Sequence, residues 1–124
     1  MYRIALITID ITLASIFDPV LRRLDAELVV TTPHCDLQHM NADLLLWHDR
    51  DAIGCVPAYL ARMSIPVMHL ASSEQSKLQR LGRPYPAGYQ GADYYLVYPF
   101  DSEDVVTIFR YWLERSQKRQ QNRA

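Results

Sequence analysis

The stretch Gly91-Ala-Asp-Tyr-Tyr-Leu-Val-Tyr-Pro-Phe100 decides the fold. Its centre, 94–98, is apolar or aromatic at every place and has the length of a strand. Pro99 stops the run, and Asp101, Ser102, Glu103 and Asp104 follow. Asp101 or Ser102 can cap a helix, and the two acids suit the positive end of its dipole. Val105, Phe109 and Trp112 then recur at i, i+4 and i+7, with Val106 and Leu113 beside them. A fully apolar strand therefore feeds an amphipathic helix.

Four further runs of the same kind lie upstream, at 3–9, 27–31, 43–47 and 66–70. Most are apolar throughout, the mark of strands covered on both faces. Segments of helical character separate them, so the order is βα repeated, which predicts a parallel sheet wrapped by helices. The first crossover carries Pro19, and a short helix is expected over 19–24 with Asp18 as cap. The second, 33–41, has room for about two turns. In the third, 51–63, Gly54 and Pro57 delay the helix to near Val56. The fourth, 74–81, ends at Gly82, and a loop with Pro84, Pro86 and Gly88 leads into the fifth strand.

The 124 residues predict one domain, placed at 1–114, with 115–124 as a basic helix end or linker. Apolar residues at 49% and charged residues at 22% exclude disorder, collagen and disulfide-stapled miniproteins. A net charge of −1 argues against direct nucleic-acid binding. The longest uncharged stretch, 63–73, falls short of the roughly 18 residues that span a bilayer. Asp10 interrupts the apolar N-terminus with no small-x-small cleavage site after it, so no signal peptide is read. Cys35 and Cys55 are read as reduced thiols, and the expected location is cytoplasmic. His34, Cys35 and His39 match no zinc spacing.

The stretch 91–100 resembles the fifth strand of response-regulator receiver domains (CheY-like), where the run reads Gly-Ala-Asp-x-Tyr-Leu-x-Lys-Pro-Phe; this sequence departs only at the Lys. Ala42-Asp-Leu-Leu-Leu-Trp47 is similar to that family's third strand and Ile65-Pro-Val-Met-His-Leu70 to its fourth. The resemblance spans the chain. It implies a flavodoxin-like α/β sandwich of five parallel strands in the order 2-1-3-4-5, here with its first three helices irregular or shortened. It also implies a chemistry: phosphoryl transfer to an Asp after the third strand, aided by Mg²⁺ on acids after the first strand, with a hydroxyl after the fourth strand and a Lys after the fifth holding the phosphoryl oxygens.

Those positions map here to residues of other kinds. The nucleophile falls on His48, with Asp49 next to it. The acids fall on Thr8 and Ile9, with Asp10 the nearby carboxylate. The hydroxyl falls on Ala71, with Ser72 and Ser73 beyond, and the Lys on Tyr98. An imidazole cannot form an acyl phosphate and a phenol brings no ammonium charge. The expectation is a degenerate pseudo-receiver with no catalytic residue, metal or cofactor, in which His48 and Asp10 hydrogen-bond across the old pocket. Its function is then expected to be signal transduction by phosphorylation-independent protein contact, dimerising or gating an output domain such as a transcription regulator, with room for one C-terminal to Ala124.

The resemblance assigns the switch position to Tyr95 and the partner surface to the face of the fourth helix, fifth strand and fifth helix. Tyr85, Tyr89, Tyr94, Phe109 and Trp112 are the other candidates there, and a homodimer through that face is expected. Two other readings stay open. One is a conventional two-component phosphoacceptor using Asp49. The other is a small flavodoxin-like enzyme or ligand-binding domain using the strand-end pocket near Asp10, His48 and Tyr98.

Overall fold

A computed structural model of the chain describes residues 1–32, 41–48, 64–72 and 93–121. Five strands are present: β1 (Tyr2–Ile7), β2 (Ala26–Thr31), β3 (Leu44–His48), β4 (Val67–Ser72) and β5 (Tyr94–Tyr98). All neighbours are parallel, and the sheet order is β2-β1-β3-β4-β5. This is the flavodoxin-like order, and the bounds of β5 match the apolar run read from the sequence. The crossovers at 33–40, 49–63 and 73–92, with the helices expected there, lie outside the described residues.

Register follows from pairings such as Ile4 with Leu44, Leu46 with Met68 and Leu70 with Leu96. Side chains alternate across a strand, so these residues share one face. That face carries the core: Ile4, Leu6, Leu44, Leu46, Met68, Leu70 and Leu96 pack with Phe17, Val20, Val105, Phe109 and Leu113. Full burial of each such side chain stabilises by about 1.5–3 kcal/mol, far more than the surface ion pairs do. Arg3–Glu27 at 2.7 Å and Arg23–Glu103 at 3.2 Å are both solvent-exposed and contribute about 0–1 kcal/mol each. The strand β2 differs from its neighbours. It lies at the sheet edge, and Val29 and Val30 are exposed.

The first crossover differs from the expected helix at 19–24. The chain enters a 3-10 helix (Ile11–Phe17) and then a one-turn helix, α1 (Asp18–Leu21). Asp10, not Asp18, supplies the cap: its Oδ1 accepts from Thr12 N at 3.1 Å. Leu13 and Phe17, four apart, are the buried residues of this 3-10 segment. Asp18 lies inside the first turn of α1, where Pro19 needs no partner for its missing N–H. The last helix, α2 (Ser102–Gln121), starts as expected, with Asp101 Oδ1 accepting from Glu103 N at 2.8 Å.

Two aspartates that open strands stitch the amino edge of the sheet. Asp43 Oδ2 accepts from Arg3 N at 2.8 Å, and Asp93 Oδ2 accepts from Val67 N at 2.9 Å. Their own amides donate back to Arg3 O and Val67 O. The Asp of the Gly-Ala-Asp motif thus has a structural use. Among the described residues, no helix is long and apolar enough to cross a membrane.

Candidate functional site

The carboxyl ends of the strands bring together residues far apart in sequence. Thr8 follows β1 and extends its ladder, donating from N to Thr31 O at 2.9 Å. His48 ends β3, Ser72 ends β4 and Tyr98 ends β5. Register puts His48 beside Leu70, and Ser72 beside Tyr98. Ser72, His48 and Tyr98 therefore sit on the core-bearing face at the sheet's rim.

A chain of hydrogen bonds joins them. Thr8 Oγ1 lies 2.8 Å from His48 Nδ1, and His48 Nε2 lies 3.2 Å from the Tyr98 hydroxyl. Asp10 N donates to Thr8 Oγ1 at 2.9 Å. The Thr8 hydroxyl has two acceptors in reach, Nδ1 at 2.8 Å and Asp10 O at 3.5 Å. Where it donates to Nδ1, the imidazole proton sits on Nε2 and is given to Tyr98; where Nδ1–H donates to Thr8, the hydroxyl turns to Asp10 O. Thr8 and His48 are 0% and 2% exposed.

Thr8, His48 and Tyr98 meet directly. Asp10 is half-buried, and its carboxylate accepts from Thr12 N and from Thr12 Oγ1 at 2.5 Å. Both ring nitrogens of His48 have a partner, Thr8 on one side and Tyr98 on the other, and Thr8 Oγ1 also meets the Asp10 backbone. Ile9 turns outward and is 53% exposed. Ala71 is buried, and strand alternation puts it on the face opposite His48; Ser72, one place on, is the hydroxyl on the His48 side. Asp49 and Ser73 lie outside the described residues, as do Tyr85, Tyr89, His34, Cys35, His39 and Cys55.

Among the surface candidates, Tyr94 is partly exposed. Tyr95 pairs in register with His69, and its side chain lies outside the description. Trp112 is half-buried, with Tyr111 edge-on at 5.3 Å and the Arg115 guanidinium 5.6 Å from its ring centre. Phe109 corrects the sequence reading. It is fully buried and stacks on Phe17 at 5.9 Å, so it belongs to the core and not to a contact surface. The 3.6-residue period gives Phe109 and Leu113 to the sheet side and leaves Tyr111 outside.

A second buried imidazole lies one strand over. His69, in β4, is 1% exposed; burial first, and the neighbouring His48 second, push its pKa down to about 4.

Mg²⁺ takes near-octahedral oxygen ligands, usually with carboxylates among them. At this rim the Thr8 hydroxyl is committed to His48, the next groups are an imidazole and a phenol, and the Asp10 carboxylate caps the 3-10 helix. Among the described residues, no three of His, Cys, Asp and Glu converge. The described residues of the rim do not supply such an oxygen set.

No family model and no curated protein matches the sequence. Solved structures do match. The signal receiver domain of an HD domain-containing protein from Pseudomonas fluorescens Pf-5 superposes with a TM-score of 0.67 at 18% identity, over 97% of this chain and 92% of that one. A response regulator receiver modulated diguanylate cyclase from Pelobacter carbinolicus gives 0.63 at 15%, over 98% and 99%. The receiver domain of a sensor histidine kinase from Pseudomonas aeruginosa PAO1, with magnesium coordinated in its active site cleft, gives 0.61 at 15%, over 91% and 98%. The chain has the receiver fold.

Proposed function

We propose that the chain is a pseudo-receiver, a signalling module that works by protein contact without accepting a phosphoryl group. One observation carries this reading. The places that would hold an anionic acceptor, its acidic neighbour and a cation are occupied by His48, Thr8 and Tyr98, and these three satisfy one another through bonds of 2.8 and 3.2 Å. A hydroxyl, an imidazole and a phenol stand where carboxylates and an ammonium would be required. The contact surface in this reading is the face bearing Tyr94 on β5 and Tyr111, Trp112 and Arg115 on α2, serving a second copy or an output domain. The receivers named above include some tied by name to a diguanylate cyclase and an HD domain, which favours an output function for this chain also. A cytoplasmic location fits that role.

Trp47, next to His48 and nearly buried, offers the test. In a Trp112→Phe background, its fluorescence is expected to stay flat as Mg²⁺, then Mg²⁺ with beryllofluoride, is raised to millimolar levels. A saturable change would mean that a metal-dependent acceptor is present after all.

A further inference from the structure

The hydrogen-bond chain through His48 is built to hold the imidazole in either charge state. In the neutral Nε2–H tautomer Thr8 donates to Nδ1. If Nδ1 takes a proton, it donates to Thr8 Oγ1 instead, and the Thr8 hydroxyl turns to its second acceptor, Asp10 O at 3.5 Å. The Nε2–H to Tyr98 bond is kept in both states. No donor or acceptor in the chain is stranded by the change, so the usual cost of charging a buried group without partners is reduced.

The two states differ in one bond length. A hydrogen bond at 3.5 Å is at the outer limit, so the charged state favours drawing Asp10 O toward Thr8. Asp10 also caps the 3-10 helix through Thr12. On either side of it, Ile9 and Ile11 are 53% and 73% exposed. A small shift at Asp10 therefore moves two apolar side chains that face solvent.

We propose that His48 is a proton-operated switch: uptake of a proton on Nδ1 supplies a charge at the sheet rim and re-seats the 9–12 segment, so that pH is an input to this domain. The proposal deepens the pseudo-receiver reading and rests on it, since a rim that took a phosphoryl group would already have its input.

The titratable groups ranged around His48 among the described residues are Asp10 beyond Thr8, Tyr98 from β5 and His69 from β4. Asp10 favours the imidazolium and His69 opposes it only when itself charged. Burial holds His69 down at about 4, so above that pH it places no charge against His48.

The test is a two-dimensional NMR titration of the full chain from pH 7.5 to 5.0. The His48 imidazole and the amides of Ile9, Asp10 and Thr12 are expected to move together with one midpoint. Thr8→Val removes the hydroxyl that accepts from Nδ1–H, and should lower that midpoint by roughly one pH unit, a tenfold loss of proton affinity. His48→Gln, which keeps a donor and an acceptor, should abolish the transition while the thermal melt shows a folded chain. His69→Gln should leave the transition in place. An imidazole that holds one charge state throughout, or one that titrates without moving the 9–12 amides, would overturn the switch. Phosphorylation of the chain would overturn the underlying reading and leave the titration result standing, so the two failures are told apart.

Discussion

Phe109→Ala is expected to remove about 3–5 kcal/mol of folding stability. The ring is fully buried where α2 meets the sheet. It stacks on Phe17 at 5.9 Å, and Phe17 in turn packs on Phe100 at 5.5 Å. Truncation empties the point at which the 3-10 segment, α2 and the β5 exit converge, and the strands around it are too constrained by their ladders to collapse into the gap. Total stabilities run at about 5–15 kcal/mol, so this one change takes a large share. Urea unfolding should show the midpoint falling at constant slope, and the melting temperature should drop on the order of 15 °C. Tyr111→Ala, two places on and 55% exposed, should cost less than about 1 kcal/mol. Equal effects at the two positions would contradict the face assignment of α2.

Acid is expected to weaken the fold through His69. Its pKa is about 4 when folded against 6.5 in an unfolded chain. Between those values the unfolded chain holds the extra proton, so stability is highest above pH 6.5 and declines as pH falls toward 4. The shift corresponds to about 3 kcal/mol across that window. Denaturation at pH 7, 5 and 4 should follow that decline in the native chain, and His69→Met, which fills a similar space without titrating, should flatten it. An unchanged pH slope in His69→Met would assign the acid sensitivity elsewhere.

The sheet was legible because its strands are apolar on both faces, and the order followed from the resemblance carried by 91–100. The same order puts β2 at the edge. What the run 27–31 did not show by itself is the exposure of Val29 and Val30, which comes from that place in the sheet. The 3-10 helix was hidden for a local reason. Ile11-Thr-Leu-Ala-Ser-Ile-Phe17 mixes β-branched and apolar residues with no clean period, and what starts it is the Asp10 side chain folding back on Thr12.

At the rim, His48, Thr8 and Tyr98 could be located by counting from the strand motifs. Their bonding could not. The Thr8–His48 bond joins residues 40 apart and depends on the β1–β3 register, which no local signal encodes. The same holds for Ala71 against Ser72, where one step along β4 changes the face. Phe109 was misassigned because an i, i+4, i+7 stripe does not say which of its members is inside and which lies at the margin.

Whether this rim can take a phosphoryl group separates a pseudo-receiver from a conventional phosphoacceptor. Intact-mass measurement after incubation with acetyl phosphate and Mg²⁺ asks that question directly, with peptide mapping to place any adduct. The expected result is an unchanged mass, with His48 and Tyr98 unmodified. A gain of one phosphoryl group that maps to Asp49 or Asp10 and is lost on its replacement by Asn would contradict the account.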